Sequence, residues 1–217
     1  MNDNMIDGRV VVTSYMTLRK FVGILGFTLP GILFLGGLLI FHTGLQPSMS
    51  AYYHTGMGDV FVGTMCAIGV FLLSYRGPDN KDDVAGNLAC IFAVGLALFP
   101  TASEGAMGTA VWVSRLHFVF AAAFFLTLVY FSLRLFTKTS PDRVPTRRKR
   151  ARNHIYRVCG YVMLACVALI AVLKLAPGTD AWVTKTRAVF WCEAAAVVTF
   201  GISWLVKGEA ILGDTPE

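Results

Sequence analysis

Long apolar runs separated by short polar connections dominate this sequence. The runs approach the roughly 20 residues that a helix needs to cross the hydrocarbon core of a bilayer. They lie near residues 21–41, 59–75, 85–100, 112–136, 155–175 and 188–206. We therefore predict an all-α protein, a polytopic membrane bundle of about six transmembrane helices that forms a single domain over residues 1–217.

Composition agrees with this pattern. Hydrophobic residues make up 55% of the chain and charged residues 15%, whereas a soluble globular domain carries about a quarter charged residues. The formal net charge is +6, but the basic residues cluster at the ends of the apolar runs. Membrane topology explains that placement better than nucleic-acid binding does. We expect an integral membrane protein with no nucleic-acid partner.

The orientation follows from the basic connection between the fourth and fifth runs. Residues 138–152 contain seven lysine and arginine residues in a short loop, and such loops remain in the cytoplasm. With six spans, both termini would also be cytoplasmic. We expect a multi-pass protein of the cell membrane, the bacterial inner membrane, with outer connections at 42–58, 101–111 and 176–187.

The first outer connection concentrates polar and aromatic side chains just before the second run. Ser50, Tyr52, Tyr53 and His54 lie in it, and Asp59 opens the run that follows. Ser50 and His54 are four residues apart, so a helical turn would place them on one face. This connection is the first candidate for a functional site.

Other ionisable residues are predicted at the same membrane edge. They include three of the four histidines, His42, His54 and His117, as well as Glu193 in the last run and Glu104 in the second outer connection. Burying an ionisable group near the bilayer centre costs at least about 2.5 kcal/mol, so such groups usually face an interior cavity. We expect one cavity lined by His54, Asp59, Arg115, His117 and Glu193.

Serine, histidine and aspartate at an outer membrane edge resemble the alkaline ceramidase and adiponectin receptor superfamily of membrane hydrolases. The resemblance covers Ser50-x-x-x-His54 and Asp59 and implies a zinc site of histidines beside a serine and an aspartate. That superfamily has seven spans and a paired His-x-x-x-His on its last helix, which has no counterpart here. The whole chain is also similar to small bacterial six-span membrane proteins, through Ser50-Ala-Tyr-Tyr-His54-Thr, Asp59-Val-Phe-Val-Gly63, Asn87-Leu-Ala and Ile202-Ser-Trp-Leu-Val-Lys-Gly208.

The first functional hypothesis is therefore a zinc-dependent hydrolase that acts on an acyl lipid. Imidazoles and carboxylates form open zinc sites in which bound water loses a proton near neutral pH. The predicted roles are metal ligands for His54, His117 and His42, catalysis for Ser50, Asp59 and Glu193, and substrate binding for Tyr52, Tyr53 and Arg115.

Two other hypotheses use the same residues. In one, the protein binds or transports a membrane lipid or a small ion without chemistry. Arg115 then holds a phosphate or carboxylate, and Asp59 and Glu193 exchange protons. In the other, Ser50 is a nucleophile with His54 as its base, although no glycine-flanked elbow surrounds Ser50. The sequence does not indicate an oligomeric state.

Overall fold

The computed structural model describes residues 3–77, 79–103, 105–139 and 144–213, with side chains from residue 15 onward. The predicted all-α class is confirmed, since the described residues form helices and no strand. The α-helices are α1 (Asp3–Ile40), α2 (Gly58–Leu73), α3 (Asn80–Leu98), α4 (Thr109–Tyr130), α5 (Arg147–Leu175), α6 (Asp180–Thr186) and α7 (Ala188–Lys207). A 3₁₀ helix covers Ser50–His54, and a π-helical turn, Phe131–Leu135, extends α4.

Six of the helices pack as a closed ring in the order α1, α2, α3, α4, α5 and α7. Neighbours in the ring run in opposite directions, because short connections join most of them. One end of the ring, the Ser50 end, holds the end of α1 and the beginnings of α2, α4 and α7. The other, the Lys207 end, holds the ends of α2, α4 and α7 and the beginning of α5.

Four helical segments are long and apolar enough to cross a membrane, which indicates a membrane protein. They are Tyr15–Ile40, Thr109–Leu135, Arg147–Leu175 and Ala188–Lys207. Each of the six apolar runs that were predicted to span the membrane does form a helix, but two of these helices, α2 and α3, do not meet this criterion of length and apolarity. Helix α2 is apolar but has 16 residues, and α3 begins with the charged side chains of Lys81, Asp82 and Asp83.

Small residues allow α1 and α7 to pack closely, as in many membrane helix pairs. A Cβ atom added to Gly201 of α7 would collide with the backbone of Phe27 and Gly23 in α1. Gly26 likewise faces the ring of Phe200. Close contact between these two helices closes the ring.

Aromatic side chains fill the core at the Lys207 end. The ring of Trp204 lies 5.2 Å from those of Tyr75 and Phe136 and 5.6 Å from that of Phe131. Trp204 is 1% exposed. Burial of these large aromatic rings against one another fixes the relative positions of the ends of α2, α4 and α7.

Candidate functional site

The connection between α1 and α2 folds against the bundle. The hydroxyl oxygen of Ser48, just before the 3₁₀ helix, accepts a hydrogen bond from the backbone nitrogen of Ala51 in its first turn at 3.0 Å. The carbonyl oxygen of Pro47 accepts one from Phe190 of α7 at 3.1 Å. Tyr52 is fully buried, with its ring 6.2 Å from that of Phe190. The segment that carries Ser50 is therefore held in place on both sides.

Ser50 and His117 form the centre of the candidate site. The Nε2 atom of His117 lies 2.9 Å from the hydroxyl oxygen of Ser50. Its Nδ1 atom lies 2.7 Å from the carbonyl oxygen of Phe99, just beyond α3. Ser50 is 8% exposed and His117 is 2% exposed. Three separate segments of the chain thus meet at one buried imidazole.

The partners of the imidazole determine where its proton lies. A carbonyl oxygen can only accept, so in a neutral ring Nδ1 carries the hydrogen and donates it to Phe99. Nε2 is then an acceptor, and the Ser50 hydroxyl donates to it. A serine that donates to a fixed imidazole is the arrangement that activates serine as a nucleophile.

Glu193 of α7 lies beside this pair. One of its carboxylate oxygens accepts a hydrogen bond from the backbone nitrogen of Met49, the residue at the N-terminus of the 3₁₀ helix. Its electrostatic contacts include the backbone of Ser50 and the charge of Lys174. Glu193 therefore anchors the serine-bearing segment to α7.

The structure does not bring the remaining predicted residues into this pair. His54 lies on the same 3₁₀ helix, but its Nε2 atom is 2.7 Å from the carbonyl oxygen of Thr101, and Tyr53 packs edge-on against its ring. His42, Asp59 and Arg115 are exposed. The Arg115 guanidinium stacks over Trp112 at 4.5 Å. Glu104 lies outside the described residues.

Tyr52 is also poorly placed for substrate binding, because its ring is buried in the bundle and contacts α1 near Gly37. Burial raises the pKa of its phenol above the ordinary value. The phenol therefore stays protonated at neutral pH and serves packing at this position.

The predicted histidine ligands do not form a zinc site within the described part of the chain, which contains no group of three or more potential metal ligands. His117 directs both ring nitrogens at protein oxygens, and His54 directs one at Thr101. The arrangement does not fit the three-ligand zinc site that the resemblance implies.

Two backbone groups of the site could not be predicted from the sequence: the carbonyl of Phe99 and the N–H of Met49. Every residue supplies such groups, so their role carries no sequence signal. Pro100 gives a weak sequence signal for the position of Phe99, because the residue before a proline favours an extended backbone.

Comparison of the chain with protein families, curated proteins and solved structures finds no match.

Proposed function

We propose that this protein is a membrane-embedded hydrolase in which Ser50 and His117 cleave an acyl lipid at the outer face of the cell membrane. The observation that carries the proposal is the 2.9 Å contact between Ser50 Oγ and His117 Nε2, with Nδ1 held by Phe99. The proposal keeps the predicted hydrolase but replaces the zinc site by a serine and a histidine.

The proposal includes a membrane topology for the six helices of the ring. All six helices of the ring lie in the membrane, with both termini and residues 138–152 in the cytoplasm. The support is the basic N-terminus of α5, where Arg147, Arg148 and Arg150 are exposed, because such residues stay on the cytoplasmic side. Helix α2 spans about 24 Å at 1.5 Å per residue, and a bilayer adjusts to a short span by thinning.

The chemistry uses the hydrogen-bond direction given above. His117 Nε2 takes the Ser50 hydroxyl proton as Oγ attacks the acyl carbonyl, and the resulting imidazolium remains hydrogen-bonded to Phe99 through Nδ1. His117 then donates the proton to the alcohol oxygen of the lipid, and the carbon–oxygen bond of the ester breaks. Water, deprotonated by the same nitrogen, attacks the acyl-serine. The bond between the acyl carbon and Ser50 Oγ then breaks, His117 returns the proton to Oγ, and a fatty acid is released.

The surroundings of the site favour a lipid as substrate. Trp112, Trp182 and Trp191 are exposed at the Ser50 end, and tryptophan prefers the membrane–water interface. Arg115, stacked on Trp112, places a fixed cation at the same level. We assign Arg115 to the phosphate of a lipid head group.

A second candidate is a protein with no catalytic activity, which binds a lipid or an ion at this end. The near-complete burial of Ser50 and His117 favours it, because a hydrolase must expose its nucleophile to the acyl group. In that case the pair only ties the 3₁₀ helix to α4.

Fatty acid release from phospholipid in proteoliposomes separates these candidates. We expect activity in the wild-type protein and its loss in Ser50→Ala and His117→Ala. Ser132→Ala is the matched control, since Ser132 is also a buried, hydrogen-bonded serine, 2.9 Å from Ser203. A chelator should leave the rate unchanged. Activity that requires zinc would restore the metal-dependent hypothesis, and absence of activity would favour the second candidate.

A further inference from the structure

Four basic side chains converge at the Lys207 end of the bundle, far from the hydrolytic site. They are Arg19 of α1, Lys149 and Arg152 of α5 and Lys207 of α7, and we call them the cation cluster. Glu193 and Lys207 are 14 positions apart in α7, which corresponds to about 21 Å along the helix. The cluster is therefore independent of the chemistry proposed above.

Contacts with shared neighbours hold Arg19, Lys149 and Lys207 close together. The ammonium of Lys207 lies 5.1 Å from the ring of Phe136, and that of Lys149 donates to the carbonyl oxygen of Phe136 at 3.0 Å. A Cβ atom on Gly208 would lie 3.2 Å from the Cβ atom of Arg19. Lys207 is within electrostatic range of the charges of Arg19, Lys149 and Arg152, and of the carboxylate of Asp82.

Two carboxylates near the cluster, those of Asp82 and Glu209, each have a basic partner within the described residues. The carboxylate of Asp82 forms an ion pair with the ammonium of Lys138 at 2.7 Å. The carboxylate of Glu209 lies 3.7 Å from the guanidinium of Arg152. Within those residues neither Arg19 nor Lys207 has a carboxylate within ion-pair distance.

Burial makes the positive charges of Arg19 and Lys207 expensive. Arg19 and Lys207 are partly buried, and the Nε atom of Arg19 is buried without a hydrogen-bond partner in the described structure. Membrane topology does not require Arg19 and Lys207 to be buried, because the exposed Arg147, Arg148 and Arg150 are sufficient to retain the loop of residues 138–152 in the cytoplasm. Like charges held together at low exposure indicate a bound counter-charge.

We propose that the cation cluster binds a phosphate group, and that an anionic phospholipid of the adjacent leaflet supplies it. Guanidinium and ammonium groups are the usual ligands of phosphate oxygens. Basic pockets between membrane helices bind anionic head groups in this way. A phosphodiester between α1, α5 and α7 gives Arg19 and Lys207 an anionic partner and holds these three helices together.

The test measures lipid binding to the full-length protein in a neutral detergent, by native mass spectrometry and by melting temperature. Phosphatidylglycerol is compared with phosphatidylcholine and with inorganic phosphate at constant ionic strength. The variants are Lys207→Gln and Arg19→Gln. Arg150→Gln is the matched control, because it removes the same charge from an exposed position in α5. Lys207→Arg keeps the charge.

We expect the wild-type protein, Arg150→Gln and Lys207→Arg to bind phosphatidylglycerol equally and in preference to phosphatidylcholine. Lys207→Gln and Arg19→Gln should bind it roughly fivefold more weakly or worse, given the contribution of one cation near an anionic lipid. Without added anions, Lys207→Gln should melt no lower than the wild type, because it relieves repulsion.

Protection of the wild type by inorganic phosphate but not by phosphatidylglycerol would support the site and assign it a soluble phosphate. Equal binding of phosphatidylglycerol and phosphatidylcholine, with no effect of inorganic phosphate, would overturn the proposal. The same conclusion would follow if Arg150→Gln weakened binding as much as Lys207→Gln does.

Discussion

At the scale of single residues, the candidate site depends on the direction of two hydrogen bonds. The carbonyl of Phe99 fixes the proton on Nδ1 of His117, so that Nε2 faces the Ser50 hydroxyl as an acceptor. In serine proteases a carboxylate fixes the equivalent proton. A neutral carbonyl stabilises an imidazolium less than a carboxylate does, so we expect slow turnover.

Replacing His117 by alanine should lower the melting temperature. The change leaves the Ser50 hydroxyl and the Phe99 carbonyl without their partner in a buried site, which typically costs about 1–3 kcal/mol. His154→Ala, at an exposed position in α5, should have little effect. Equal stability of the two variants would indicate that the His117 contacts contribute nothing to folding.

Both members of the pair were candidates from sequence alone, but their pairing was not predicted. Spacing associated Ser50 with His54, four residues away, whereas the structure joins it to His117. His54 instead reaches Thr101. Local spacing predicts neighbours within one helix, but contact between a loop and a distant helix depends on how the whole bundle packs.

At the scale of helices, apolar runs were sufficient to locate the six members of the ring, because lipid-facing helices leave long hydrophobic stretches. Their ends were less predictable. Helix α1 begins at Asp3 instead of near residue 21, and α6 at Asp180–Thr186 was not predicted at all. Both segments contain polar residues, so hydropathy does not distinguish them from loops.

The contact between α1 and α7 leads to a test with glycine variants. Gly201→Ala should destabilise the protein by about 1–3 kcal/mol, because the methyl group would overlap the α1 backbone and force the helices apart. Gly31→Ala in α1 is the control, since no atom lies within 4 Å of its added methyl group. That variant should be neutral or slightly stabilised. Thermal unfolding in detergent measures both, and equal effects would contradict the packing described.

An ion pair joins the end of α4 to the beginning of α3. Lys138 lies 2.7 Å from Asp82, which is 1% exposed, and 2.8 Å from Asp79. The phenol of Tyr75 also donates to Asp82, at 3.3 Å. The hydrogen bond from Lys138 lowers the pKa of the Asp79 carboxyl.

Lys138→Met should therefore destabilise the fold by about 1–3 kcal/mol, because it leaves a buried carboxylate without its cation. Lys81→Met removes the same charge from an exposed side chain of α3 and should have a much smaller effect. Denaturation of both variants in the same detergent provides the comparison. A larger loss in Lys81→Met would rule out this role for Lys138.

At the scale of the whole molecule, the two ends of the bundle have different chemistry. The Ser50 end carries the serine, the histidine and exposed tryptophans, and the Lys207 end carries most of the basic residues. Overall charge placement was readable from the sequence, since lysine and arginine positions need no packing information. The convergence of Arg19 with Lys207 could not be predicted from the sequence, because it depends on contact between the first and last helices of the ring.

The proposed topology predicts which positions react with an impermeant thiol reagent. In a cysteine-free background, a cysteine at position 180 should react from the outer face, and one at position 148 only after the membrane is opened. Both residues are exposed; Arg148 lies at the beginning of α5, at the Lys207 end, and Asp180 begins α6, which follows the other end of α5. Labelling of position 180 from the cytoplasmic side alone would contradict the proposed topology and indicate the opposite orientation.

The most direct measurement of the central claim is the site of covalent modification by a fluorophosphonate. Attack by an activated serine breaks the phosphorus–fluorine bond, forms a phosphorus–oxygen bond and releases fluoride, with the serine proton passing to the imidazole. We predict an adduct on the peptide that contains Ser50, present in Ser132→Ala and absent in His117→Ala. Folded wild-type protein with no adduct on Ser50, or equal modification in His117→Ala, would contradict the account.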